Sequence, residues 1–102
     1  MSKSQQENEA DLKRAEYEAR IAEWDSRIKM METEIERAKA STAANVGEML
    51  TRLRARRDEA RERLDEIKKA SDEMWERTRS AFEDAIEEMS AAYEAVRRRM
   101  RE

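Results

Sequence analysis

Residues 64–75 read LDEIKKASDEMW, and the way this stretch folds decides the architecture of the chain. Leu64 and Ile67 close one row of apolar side chains, and Trp75 opens another. The interval from Leu64 to Trp75 is 11 residues. Because 11 is not a multiple of seven, a helix running straight through would carry its seam out of phase. Read as a stutter, the offset leaves one long helix with a locally unwound supercoil. Read as a turn, it separates two helices. Lys68 and Lys69 suit a helix end, where cations meet the negative pole of the macrodipole, and Ser71, Asp72 and Glu73 suit a helix start. No Gly or Pro enforces a stop here.

Upstream, the row containing Leu64 runs Leu50, Leu53, Arg57, Ala60, Leu64, Ile67, Ser71. An earlier row runs Tyr17, Ile21, Trp24, Ile28, Met31, Ile35, Ala38. Steps of three and four give the 3.5-residue repeat of a helix that winds around a partner. A strand would alternate by two, and no such alternation is present. The first arm also carries acid-then-base pairs four apart (Glu9–Lys13, Glu16–Arg20, Glu23–Arg27, Asp25–Lys29), each worth a few tenths of a kcal/mol to a helix.

Residues 40–47 separate the two rows. They hold no charge and include the only glycine, Gly47. Asn45 with Glu48 three positions on resembles a helix-start cap. This is read as a turn, the alternative being a small-residue stretch within one helix. Folding the chain antiparallel about residue 44 pairs Leu50 with Ala38, Leu53 with Ile35, Ala60 with Ile28 and Leu64 with Trp24, so large residues face small ones at Leu50–Ala38 and Ala60–Ile28. The same register brings Arg52, Arg54 and Arg56 opposite Glu36, Glu34 and Glu32, which would guard against a slip of one heptad.

The third row is Trp75, Phe82, Ile86, Met89, Tyr93, Val96 and Met100. In the hairpin register it would face residues 1–16, where Leu12 is the one large apolar residue besides Met1. Two arrangements would bury it. The segment can pair with its copy in another subunit, giving a long second arm and a dimer or higher oligomer. Alternatively it can fold back, giving a three-helix bundle with Phe82 near Ala60 and Met89 near Leu53. The first is preferred because a tight second turn lacks its usual residues.

The sequence therefore predicts an all-α antiparallel hairpin or coiled coil with a long second arm, a three-helix bundle being the alternative. Residues 1–9 are expected to be a disordered or frayed end. Residues 10–102 are expected to be a single domain, with a helix over 10–41, a turn at 42–46, and a helix over 47–102 that shifts phase or breaks near 70–73. The seven residues of the third row are the expected interaction surface.

Composition narrows function by exclusion. The chain has 102 residues, 22 of them basic and 25 acidic, with one Gly and no Pro, Cys or His. So few turn-formers cannot serve a multistranded sheet. Without Cys or His there is no thiolate, no Ser–His–Asp or Cys–His site and no usual zinc site. One glycine cannot build a phosphate cradle. A carboxylate-only metal site is a minor alternative. No catalytic residue, cofactor or small-molecule substrate is expected, and the protein reads as no enzyme.

No apolar run approaches the ~18 residues that span a bilayer, and residues 1–20 are polar, so a cytoplasmic protein is the default expectation. Twenty-three large apolar residues make a thin core for an isolated globule, which makes self-association the expected stabiliser.

Several features carry a functional reading beside a plainer one. The aromatics at heptad spacing could bind a lipid or partner, but mostly mean packed core. The acidic block from Glu83 to Glu94, followed by Arg97, Arg98, Arg99 and Arg101, could dock an anion. It also satisfies the helix dipole. The arginines of 52–63 could touch nucleic acid, but Asp58, Glu59 and Glu62 interleave them and favour a salt network. Residues 74–100 form an amphipathic stretch of the kind an apolipoprotein-like, lipid-surface protein would use, with an acidic polar face that opposes anionic lipid. The order of preference is interaction protein, then lipid-surface binder, then nucleic-acid-associated coiled coil.

The blocks Asp11 to Asp25 (DLKRAEYEARIAEWD) and Leu53 to Ala70 (LRARRDEARERLDEIKKA), together with Ser71–Arg77 (SDEMWER), resemble small bacterial coiled-coil proteins of a stress-response family. The resemblance spans about residues 10–95, and its best tokens are Tyr17, Trp24 and Trp75. The chain departs from the pattern in its turn, Ser41 to Gly47, and in having no Gly beside Ser71. The family implies a helical, stress-linked protein and no catalytic residues.

Overall fold

The computed structural model of the chain describes residues 3–38 and 43–101. They form three helices: α1 Lys3–Ala38, α2 Ala43–Lys69 and α3 Trp75–Arg101. The all-α architecture follows from the composition. Ala, Glu, Arg, Lys and Met favour helix, and no β-branched run competes with it. α1 is helical from Lys3, inside the stretch expected to fray. The turn expected at 42–46 lies partly outside the described residues, and Ala43 to Val46 already belong to α2. Gly47 also sits within α2, with nothing within 4 Å of where a Cβ would stand, so neither a turn nor a close approach requires it.

The long second arm is replaced by its alternative, the three-helix bundle. α2 ends at Lys69, the chain reverses through residues 70–74, and α3 lies antiparallel along α2. The reversal is a short hydrogen-bonded turn. The Met74 amide donates to the Ser71 carbonyl (3.0 Å), and the Ala70 amide to Ile67 (3.2 Å).

The chain turns without Gly or Pro because α1 supplies the cap. Arg14 donates from Nε to the Ile67 carbonyl (3.2 Å), adding to the Ala70 amide, and from Nη2 to the Ala70 carbonyl (3.4 Å), so it caps the end of α2. The same guanidinium bonds Asp11 (3.0 Å) and lies 5.2 Å from the centre of the Trp75 ring. Replacing Arg14 with Leu should therefore lower stability by about 1–3 kcal/mol, read as a shift in the urea midpoint. Arg14→Lys should recover only part of this, because a single ammonium cannot imitate the fork.

Inside the bundle the three rows converge. Tyr17, Ile21, Ile28 and Met31 from α1, Leu50, Leu53, Ala60, Leu64 and Ile67 from α2, and Phe82, Ala85, Met89 and Val96 from α3 are all buried. α1 and α3 run parallel and meet through aromatic pairs. The Tyr17 and Phe82 ring centres lie 4.7 Å apart, and Trp24 meets Tyr93 edge-on at 5.2 Å. Trp24, expected over Leu64, thus also serves the third helix.

Beside the seam, α1 and α2 are joined by a charge ladder in which Glu18 meets Lys68, Asp25 meets Arg61 and Glu32 meets Arg54, a heptad apart on each helix. Arg54 was expected opposite Glu34. It finds Glu32 at 3.2 Å because charged residues sit beside an antiparallel seam rather than on it, and the flank positions that meet are offset from the seam positions. Arg56, expected opposite Glu32, instead bonds Glu88 of α3 at 2.9 Å. That contact fits the register that sets Phe82 by Ala60.

Candidate interaction surfaces

The third-row residues divide into two groups. Phe82, Met89 and Val96 are fully buried inside one chain, whereas Trp75, Ile86, Tyr93 and Met100 are half-buried against the same core. α1 and α2 of the same chain supply the partner that this row lacked in the hairpin reading. The apolar side of α3 that a lipid-surface reading would use is packed on the other two helices. Among the described residues no helix is long and apolar enough to cross a membrane, and no cluster of three or more potential metal ligands occurs.

The charged stretches are largely committed to one another. Arg54, Arg56, Arg57, Arg61 and Arg63 all form ion pairs within the chain. From the acidic block, Glu83 accepts from the Tyr17 hydroxyl (3.1 Å) and from Arg79 (3.4 Å). The Tyr17 ring is buried while its hydroxyl reaches the rim. Burial pushes the phenol up, opposed by the Arg79 guanidinium beside it. Glu76 holds the Arg79 guanidinium above its ordinary value. Asp25 lies between Arg57 and Arg61, where it orders the α1–α2 contact.

Three surface features remain open. A cleft of about 570 Å³ lies where α1 passes the 70–74 turn, with Leu12 and Trp75 as its apolar lining and Glu9, Asp72 and Glu76 among its acids. A groove of about 590 Å³ runs between α2 and α3 on the side away from α1. Its lining is Met49, Ala55, Ala91, Ala92 and Ala95, rimmed by Arg52, Arg56 and Glu88.

The third feature is the outer side of α1. Leu12, Ala15, Ala19, Ala22, Ser26 and Met30 share one face, opposite Tyr17, Ile21 and Ile28, and all six are exposed. Leu12 is 71 % and Met30 65 % exposed. No family model, curated protein or solved structure matches the chain, so its function has to be argued from these surfaces.

The sequence reading singled out the third row and passed over the α2–α3 groove and the outer α1 stripe. The stripe was readable. From Leu12 through Ser26, the positions Leu12, Ala15, Ala19, Ala22 and Ser26, three and four apart, carry no charge, within a helix otherwise dense in charge. The groove was not readable, because it exists only once α3 has folded back.

Proposed function

We propose that the protein is a non-enzymatic helical interaction protein, acting in the cytoplasm, which holds a partner helix in the groove between α2 and α3. One observation carries this reading. The apolar part of the groove lining is four alanines, with Met49 at one end. Small side chains let a third helix axis approach closely, and a flexible Met adapts to what lies on it. The rim offers Arg52, which has no ion pair among the described residues, and the Arg56–Glu88 pair. These can select the charge pattern of an incoming helix. A stress-linked setting is supported by the sequence resemblance alone.

The test uses the full chain with Ala55→Arg and Ala91→Arg, which fill the groove from both walls at exposed positions. Partners crosslinked to the parent chain in its native cells should fall at least about tenfold in the variant, with helicity unchanged, if the groove supplies the interface core. Recovery of the same partners at the same level would overturn the proposal.

A further inference from the structure

The groove and the outer face of α1 are complementary in shape and in charge. The α1 face is narrow and smooth, with Ala15, Ala19 and Ala22 between the larger Leu12 and Met30. Acids flank it on both edges, Glu9, Glu16 and Glu23 on one and Asp11, Glu18 and Asp25 on the other, all but Glu9 in ion pairs among the described residues. Two copies of this face brought together would therefore set acids against acids in either direction, which disfavours a symmetric α1–α1 contact.

The groove has the opposite character at its upper end. Arg52 and Arg56 stand on the α2 side, Arg56 being paired with Glu88, and Arg98 lies about one turn past Ala95 on α3. Glu88 is the one acid among its lining residues. Arg98, like Arg52, forms no ion pair among the described residues. An alanine-lined groove with a basic rim calls for a smooth helix with acidic flanks, and the outer face of α1 has that pattern.

Arg14 is level with the 70–74 turn, so Leu12 lies where α1 passes the other two helices, whereas Ala15, Ala19 and Ala22 lie alongside them. The whole molecule is 59 Å long and 18 × 17 Å across.

We infer that the groove of one copy receives the outer face of α1, centred on Ala15, Ala19 and Ala22, of a second copy. This inference rests on the groove reading above and names its occupant. The contact is heterologous: each copy offers one face and one groove, so assembly proceeds head to tail into chains or rings. Leu12 to Ala22 covers only about 15 Å of helix, so each contact is small and the association is weak and concentration-dependent.

The experiment is sedimentation equilibrium of the full chain from about 1 µM to about 1 mM, the range in which small transient interfaces associate. The average mass should climb past that of two chains. Ala19→Arg blocks the α1 face and leaves the groove, whereas Ala91→Arg blocks the groove and leaves the face. Both positions are exposed, and circular dichroism verifies that each variant folds. Each variant alone should stay single, and an equimolar mixture should give a two-chain species that grows no further.

A parent chain that stays single throughout overturns the inference. So does association that survives both substitutions, or a mixture that does not pair. The groove reading fails separately, by capture of native partners that is indifferent to Ala55→Arg and Ala91→Arg. If Ala19→Arg leaves that capture intact while the parent shows no self-association, the groove serves another protein and only its assignment to α1 is lost.

Discussion

Deleting Ser71–Met74 should convert the folded-back chain into one in which α2 and α3 continue as a single helix, recovered as a two-chain assembly. Two effects act together. First, the deletion shortens the interval from Leu64 to Trp75 from 11 residues to seven, so Trp75, Phe82, Met89 and Val96 fall whole heptads from Leu64. Second, it leaves only Ala70 between Lys69 and Trp75. One residue spans at most ~3.6 Å, and packed helix axes stand about 8–10 Å apart, so the chain can no longer reverse. α3 still has to bury Phe82, Met89 and Val96, and the matching seat is then on another copy, which makes a swapped dimer. Sedimentation at a concentration where the parent is single reads the outcome. An unchanged mass with unchanged helicity would show that the turn does not decide which chain α3 packs on.

Phe82→Ala should lower stability by about 3–5 kcal/mol, the range for an aromatic deleted from a closed core. Phe82 is fully buried, and its ring packs tilted against Tyr17 with centroids 4.7 Å apart. Domains of this size hold about 5–15 kcal/mol in all. Tm should fall by roughly 12–40 °C, at about 4–8 °C per kcal/mol. Leu12→Ala, at a side chain 71 % exposed, should stay within about 0.5 kcal/mol. Equal Tm values for the two variants would mean that α3 is not packed through Phe82 in solution.

These two variants probe the parts of the fold that the sequence revealed unequally. Rows such as Tyr17–Ile21–Trp24–Ile28 are local: spacing along one helix identifies the buried side, and nearly every residue of the three rows is buried or half-buried in the bundle. The phase change near 70 was likewise visible. What it meant was not, because the group that closes the reversal is Arg14, 53 residues from Ile67 and 56 from Ala70. A search for Gly or Pro near the turn cannot find a cap supplied by another helix. The flank ladder failed by two positions at Arg54 for a geometric reason, since charge pairs do not share the register of the seam they border. Of the candidate surfaces, the α1 stripe was legible, whereas the α2–α3 groove needed the third helix in place.

Arg14 also bears on how the bundle comes together. Until α1 lies against α2, the Ile67 carbonyl has only the Ala70 amide as a donor, the Ala70 carbonyl lacks the Arg14 guanidinium, and Trp75 lacks that group over its ring. Docking of α1 and closure of the second reversal therefore strengthen one another through the Arg14 side chain. Amide hydrogen exchange at Ala70, Met74 and Trp75 should accordingly follow global unfolding rather than local fraying, which would make a five-residue surface turn one of the slowest-exchanging parts of the molecule.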